Sequence, residues 1–396
     1  MNGLNENKKV ILLKYGEVVM KGLNRGYFDS LIVRRAKEML KKAEGNFSLE
    51  YAQSTLYISG DENADIDEAF NILKKLFGVA TICIGYQCEK NMDSISDCVR
   101  QNIKKLVGKN KTFKCESKRS DKAFPLKSPQ ISAEIGGIIL DSMHNLEVDV
   151  RNPEVTIFVE VREKYAYVHN GGEKGLGGMP SGSAGKGLLL LSGGIDSPVA
   201  GFMMSKRGIS VDCVYFESPP YTSENAKQKV VDLASKLAEY NGRLYLNCIS
   251  VTEIQEELMK HCDQKLFTVL LRRFMMRLAL VQASKIGAQL LITGESIGQV
   301  ASQTVPAMAV TDALATIPVM RPCAGLDKEE IVKISRAIET FDISVLPYDD
   351  CCTVFTPKHP NTRPTIEGVL AEEAKLDVDG LVERAYSTRY VIEINP

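Results

Sequence analysis

The sequence predicts an α/β protein: a doubly wound parallel-sheet domain preceded by smaller α+β units. Three observations carry that reading. From Leu188 onward apolar runs alternate strand and helix, which calls for a parallel sheet covered on both faces. Near the amino terminus the order is β-α-β-β-α-β, a ferredoxin-like arrangement. Between them, NGGEKGLGGMPSGSAGKG (170–187) holds eight glycines in eighteen residues and suits neither a helix nor a strand interior.

Taken in order, Lys9 to Lys14 reads as a strand, and Asn24 precedes a helix with Phe28, Leu31, Ile32, Ala36, Met39 and Leu40 on one face. Strands at 48–51 and 55–59, a helix at 66–77 and a strand at 79–87 complete the first unit. A helix from Ser94, a basic strand at 113–117, a helix at 130–143 and the alternating Val155, Ile157, Val159 and Val161 form a second. Strands at 188–191, 211–216, 243–249 and 289–293 then alternate with helices at 198–207, 224–240 and 267–286. The expected division is 1–60 for the ferredoxin-like unit, with an extension to about 90 left open, 61–169 for the second unit, 170–187 for the linker and 188–396 for the parallel-sheet domain.

A length of 396 residues fits two or three domains, and 44% hydrophobic with 25% charged residues excludes a disordered tail or a coiled coil. No run approaches the roughly 18 apolar residues of a membrane span, so a cytoplasmic protein without a membrane partner is expected. The ten cysteines lack Cys-x-x-Cys spacing and the four histidines are scattered, so reduced thiols and no structural metal are expected. The net charge of −1 conceals a basic segment: from Arg100 to Lys127 ten Lys or Arg stand against two acids. Such a run is either a solvated surface or a phosphate-binding face.

The chemistry is concentrated at Leu188-Leu-Leu-Leu-Ser192-Gly193-Gly194-Ile195-Asp196-Ser197-Pro198, a strand, a small-residue loop and a helix start. Glycines admit a close anion, hydroxyls and the helix N-terminus supply donors, and Ser197 is the expected N-cap ahead of Pro198. A polyphosphate site follows. Gly185-Lys186-Gly187 lacks the Ser or Thr of a Walker A loop, and no G-x-S-x-G elbow surrounds Ser192 or Ser197.

The loop matches SGGxDS, the signature of PP-loop ATP pyrophosphatases. The whole chain, from Lys21-Gly-Leu-Asn-Arg-Gly-Tyr-Phe28 to Cys351-Cys352, resembles the tRNA 4-thiouridine synthetase (tRNA sulfurtransferase) family, with a ferredoxin-like domain and a THUMP RNA-binding domain ahead of the PP-loop domain. That resemblance implies ATP binding by Leu190, Leu191, Tyr215, Phe216, Arg272, Gly294 and Gln303, beside the loop residues Ser192, Gly193, Gly194, Asp196 and Ser197. It gives Asp196 a part in placing magnesium and pyrophosphate, although an acid in a first helical turn is also favoured by the dipole alone. Lys328 matches a lysine needed for activity, or is simply an exposed first-turn residue of a helix near Asp327.

Cys352, in Asp350-Cys351-Cys352-Thr353-Val354-Phe355, matches the catalytic cysteine, with Cys351 left open as its neighbour. A thiol at its ordinary pKa is only a few per cent thiolate at neutral pH, so a working site needs nearby positive charge. Because Lys118 to Leu140 resembles the THUMP pattern, Lys104, Lys105, Lys109, Lys111, Lys114, Lys118, Arg119 and Lys122 are expected to grip RNA backbone.

The implied reaction adenylates uridine 8 of tRNA and replaces its 4-oxygen by sulfur from a cysteine desulfurase, with tRNA, the desulfurase and a sulfur-carrier protein as partners and a homodimer as assembly. A chain ending at Pro396 is expected to lack the rhodanese domain of longer members, which leaves the sulfur route and a role in thiamine thiazole synthesis open. Two alternatives stand beside it: a PP-loop enzyme acting on a small molecule or sulfur carrier, and a catalytically silent RNA-binding module.

Overall fold

The computed structural model describes residues 7–348, 350, 351, 354, 355, 357 and 359–396. Two compact units divide at Gly178 and Met179.

In the first unit the strands are β1 (Lys8–Tyr15), β2 (Phe47–Ala52), β3 (Thr55–Gly60), β4 (Val79–Glu89), β5 (Thr112–Arg119), β6 (Glu147–Val148), β7 (Val155–Val161), β8 (Tyr165–His169) and β9 (Glu173–Lys174). They form one nine-stranded sheet ordered β2-β3-β1-β4-β8-β7-β5-β6, with β9 on β4. The helices are α1 (Arg25–Leu40), α2 (Ile66–Leu73), α3 (Met92–Val107) and α4 (Ser128–Ser142). The β-α-β-β-α-β order of the first 90 residues is present, and β4 also pairs antiparallel with β8, so the sheet continues without a break. Helix α2 stops short of Phe77, whose ring is buried beside Gly78 at φ +94. A helix continuing through that turn could not adopt this left-handed backbone. The glycine-rich stretch is not wholly irregular, because Glu173 and Lys174 pair with Ile82 and Thr81.

The second unit holds β10 (Lys186–Leu190), β11 (Ser210–Glu217), β12 (Leu244–Ser250), β13 (Leu290–Ile292), β14 (Val319–Met320) and β15 (Tyr390–Ile394) in the order β14-β13-β10-β11-β12-β15. Its helices are α5 (Asp196–Lys206), α6 (Glu224–Asn241), α7 (Thr252–His261), α8 (Phe267–Ile286), α9 (Val305–Asp312), α10 (Lys328–Ala337), α11 (Phe341–Ser344), α12 (Ile366–Glu373) and α13 (Val378–Ser387). Leu188 and Leu189 are both fully buried, as a strand covered on two faces requires. The expected parallel sheet carries one exception, since edge strand β15 runs antiparallel to β12. Its residues Tyr390, Val391, Ile392 and Ile394 carried a strand signal that the sequence reading passed over, although only Ile394 of the five is buried.

Strand order positions the site. From β10 the chain proceeds to β11 on one side, while β13 pairs on the other. The carboxyl end of β10 is therefore a topological switch point, where connections leave in opposite directions and open a crevice. Helix α8, apolar nearly all round with Leu270, Leu271 and Phe274 at zero exposure, forms the floor of the core beneath it.

Candidate active site

The loop after β10 is locked by its own hydroxyls. Ser192 N donates to Ser197 Oγ at 3.0 Å, Ser197 Oγ donates to the Ser192 carbonyl at 3.3 Å, and Gly194 N donates to Ser192 Oγ at 3.3 Å. Ser197 is thus not the N-cap: α5 begins at Asp196 behind Ile195, and the Ser197 hydroxyl is spent on the loop. The physical reason is that the Gly193-Gly194 turn brings the backbone to helical geometry two residues earlier than the serine-proline pair suggested. Gly193 N is left facing outward, and it donates to Asp350 Oδ2 at 2.9 Å.

A cavity of about 300 Å³ opens on this loop. Leu190, Leu191, Ser192, Gly194, Asp196, Ser197, Tyr215, Phe216, Arg272, Gly294 and Gln303 all line it. The residues expected to bind nucleotide are brought together, with Gly193 beside them under Asp350. Tyr215 and Phe216 close β11, and both are buried. Tyr215 Oη has no hydrogen-bond partner among the described residues, and burial, followed by nearby Asp350 and Cys351, pushes its phenol up. Gly294 follows β13 so closely against the start of α5 that a Cβ there would lie 2.5 Å from Ser197 N and 2.7 Å from Asp196 C. Only glycine fits that approach.

Asp196 is held at both oxygens. Lys328 Nζ donates to Oδ1 at 2.8 Å and Gln299 Nε2 to Oδ2 at 2.7 Å. Lys328 is the first residue of α10, whose Asp327 and Glu330 form a reciprocal capping box, so the expected first-turn position is correct and its side chain also reaches the loop. Behind Asp196 lies Cys323, whose thiol burial, with Asp196 adding, pushes up to about 12.

Arg272 is aimed by a charge network that the sequence did not reveal. Its Nη1 donates to Glu295 Oε1 at 2.6 Å and to the Ser302 carbonyl at 2.9 Å. The other carboxylate oxygen of Glu295 accepts from Arg321 Nε at 2.6 Å and Thr293 Oγ1 at 2.8 Å. Burial alone would raise the Glu295 carboxyl, but Arg272 and Arg321 outweigh it and hold it below the usual carboxylate range. Other wall residues missed by sequence reading include Met275 and Met276. Their spacing of three and four from Arg272 on α8 puts them on its face, a signal that was present.

Cys351 also lines the cavity, buried, with its carbonyl accepting from Gln255 Nε2 at 2.7 Å. The expected catalytic Cys352 lies outside the described residues. Among the described residues no group of three or more His, Cys, Asp or Glu side chains could hold a metal ion.

The basic residues of the first unit do not form one patch. Lys104 and Lys105 end α3, where the helix dipole favours them, and Lys109 and Lys111 follow in the turn to β5. Lys118, Arg119 and Lys122 stand at the other end of β5, roughly 23 Å away at the usual strand rise. Lys114 pairs with Glu116 at 2.5 Å, and Arg119 donates to the Lys122 and Phe124 carbonyls. Lys104, Lys105, Lys109, Lys111, Lys118 and Lys122 are exposed. No helix among the described residues is long and apolar enough to cross a membrane.

Known proteins share this architecture. Residues 182–378 match the family described as thiamine biosynthesis protein (ThiI), 89–169 the THUMP domain, and 10–83 the ThiI ferredoxin-like domain. A protein of Acetivibrio thermocellus named "Probable tRNA sulfurtransferase" is 44% identical over 394 residues, covering 98% of this chain and 99% of its own. One of the same name from Alkaliphilus metalliredigens is 45% identical over 390 residues, with 98% and 99% covered. The crystal structure of a 4-thiouridine synthetase in complex with RNA and bound ATP superimposes with a TM-score of 0.90 at 35% identity, covering 98% of this chain and all of that one. A Pyrococcus horikoshii structure at 22% identity shares the fold, with a TM-score of 0.65 over 84% of this chain. Matching all three domain models and 44% identical to a relative over nearly the full length of both, the chain belongs to the tRNA sulfurtransferase (4-thiouridine synthetase) family.

Proposed function

We propose that the protein is an ATP-dependent tRNA sulfurtransferase that converts uridine 8 of tRNA to 4-thiouridine. The observation that carries this reading is the convergence of the PP-loop, Arg272, Gly294 and Gln303 on one cavity whose wall includes Cys351. An adenylating site and a sulfur-bearing segment are then adjacent, which a two-step replacement of oxygen by sulfur needs.

In this reading the adenine and ribose of ATP occupy the pocket between Leu190, Tyr215, Phe216 and Arg272, and the phosphates lie on the PP-loop and the start of α5. The 4-oxygen of the uracil attacks the α phosphate and pyrophosphate leaves, so that the oxygen becomes part of a good leaving group, AMP. Asp196, a carboxylate beside the phosphate loop, would hold magnesium, which is commonly bound by one or two carboxylates plus substrate phosphates; the ion would supply charge neutralisation on the phosphates. Lys328 holds Asp196 in place and faces the charge that develops as pyrophosphate departs. A persulfide on Cys352, loaded by a cysteine desulfurase, attacks carbon 4 and AMP leaves. The resulting mixed disulfide needs a second thiol, Cys351 or an external one, to free the thiocarbonyl and a reductant to restore Cys352; delivery as released sulfide is the other route.

The basic residues at the two ends of β5 would grip the tRNA backbone. The family resemblance extends the reading to a cytoplasmic homodimer and to a sulfur carrier for thiamine thiazole synthesis. Mass spectrometry of nucleosides from tRNA incubated with protein, ATP, magnesium, desulfurase and cysteine tests the proposal. The expected result is 4-thiouridine with wild type and none with Cys352→Ala. Wild type that splits ATP to AMP without thiolating tRNA would move the assignment to another acceptor.

A further inference from the structure

The outward-facing donor of the PP-loop is already occupied. Among the loop amides, Ser192 N and Gly194 N turn inward to loop hydroxyls, and Gly193 N donates at 2.9 Å to a carboxylate of the chain itself, Asp350. A carboxylate oxygen at a glycine amide beside a helix N-terminus is where an anionic ligand of the loop would place a phosphate oxygen. Asp350 immediately precedes the cysteine pair.

Contacts among the described residues fasten the segment leading to the cysteines. Lys229, buried on α6, donates from Nζ to the Leu346 carbonyl at 2.8 Å, and its stem passes beside Gly193. Gln255, fully buried on α7, donates to the Cys351 carbonyl. Between them stands the contact of Asp350 with Gly193. The first two fasten backbone carbonyls to side chains of the scaffold. The third occupies a loop amide, the kind of donor that a phosphate oxygen would claim. Beside it the buried Tyr215 hydroxyl lines the same cavity without a hydrogen-bond partner among the described residues, a polar group suited to an incoming ligand.

We propose that Asp350 is a displaceable latch: in the nucleotide-free protein its carboxylate stands in for a phosphate oxygen on Gly193 and keeps Cys351 buried, and nucleotide phosphate expels it and uncovers Cys351. The inference rests on the reading of the PP-loop as the ATP phosphate site. Two anions cannot share one amide in a partly buried site, because like charges that close repel strongly unless water screens them. Expulsion moves the residue covalently next to Cys351, so adenylation chemistry and access to sulfur become sequential. The Cys351 thiol stays covered until ATP is in place. Asp350 is a positioning residue in this scheme, acting through the backbone of Cys351.

The test uses the full chain and inorganic pyrophosphate as probe. Calorimetry gives its affinity for wild type, Asp350→Asn and Asp350→Ala, and iodoacetamide labelling located by tandem mass spectrometry gives the alkylation rate of Cys351, with buried Cys213 as internal reference for folding. Removing the competing charge is expected to tighten pyrophosphate binding about tenfold in Asp350→Ala and less in Asp350→Asn, the scale of one charge-assisted hydrogen bond. Pyrophosphate is expected to accelerate Cys351 labelling about tenfold in wild type, while both variants label fast without it. Pyrophosphate that binds wild type yet leaves the labelling rate unchanged, or variants that bind it no more tightly, would overturn the latch and leave the phosphate-loop reading intact. Absence of pyrophosphate binding in all three proteins would overturn both.

Discussion

Lys328 Nζ lies 2.8 Å from Asp196 Oδ1, a contact that joins the first turns of two helices 132 positions apart in the chain. Each residue stands at a helix start for ordinary local reasons, the acid by its dipole and the lysine behind a capping box, and only the packing of α10 on α5 makes them a pair.

This half-exposed ion pair should matter to activity far more than to stability. Lys328→Ala is expected to lower tRNA-dependent pyrophosphate release by roughly 100-fold or more, the range seen when a transition-state charge partner is lost. Its cost in stability should stay within about 1 kcal/mol. Pyrophosphate-release kinetics beside urea denaturation checks this, and a large loss of stability with little loss of rate would assign the pair a structural role.

Glu295 carries the opposite expectation. It is buried between Arg272 and Arg321, so Glu295→Gln leaves two guanidinium groups without their shared anion and should cost about 3 kcal/mol. Loss of aim at Arg272 should also weaken ATP binding. Urea midpoints and calorimetric ATP titration measure the two effects separately.

Acid stability should depend on Glu373. Burial raises its carboxyl, but hydrogen bonds from Arg273 and Arg277 prevail and leave it at about 2 rather than 4.5. Because the folded value lies below the unfolded one, the group's contribution is fully present above about pH 5 and is lost as pH falls toward 2. Wild-type stability should therefore fall by about 3 kcal/mol through this group alone over that window. Glu373→Gln should be less stable at pH 7 and show a flatter acid limb in urea melts run from pH 7 to pH 2.5.

At Gly294 even a methyl group meets backbone at 2.5 Å. Gly294→Ala should push the β13 loop off the start of α5, destabilise the protein by about 1–3 kcal/mol and reduce ATP affinity. An alanine variant with unaltered ATP affinity and melting would show that this approach is not needed.

The division of the basic residues gives two independent tests of RNA binding. Neutralising Lys109 and Lys111, or Lys118 and Lys122, should each weaken tRNA binding and lower the slope of log K against log salt by about 1 to 2. Filter binding across a salt series reads this, and an unchanged slope for either pair removes that end of β5 from the interface.

Local chemistry made much of the molecule legible. The SGGxDS loop, the helix from Phe267 to Ile286 and the strand Val155–Val161 follow from periodicity and from glycines at a strand-helix junction, properties that act within a few residues. The capping box before Lys328 was equally local. The antiparallel direction of edge strand β15 and the early start of α5 were not, since one depends on pairing with β12 and the other on hydroxyls bonding across the loop. Nor could composition reveal that the basic run is spread along a strand, with Lys109 and Lys111 at one end of β5 and Lys118 and Lys122 at the other, because a rise of about 3.3 Å per residue converts sequence neighbours into distant charges. The sequence by itself determined which residue types the cavity would need: glycines, an acid, arginine and cysteine. Tertiary structure alone decided their partners, Lys328 on Asp196, Glu295 between two arginines and Asp350 on Gly193, because burial makes an unpaired charge costly and the nearest complementary group in space then becomes its partner.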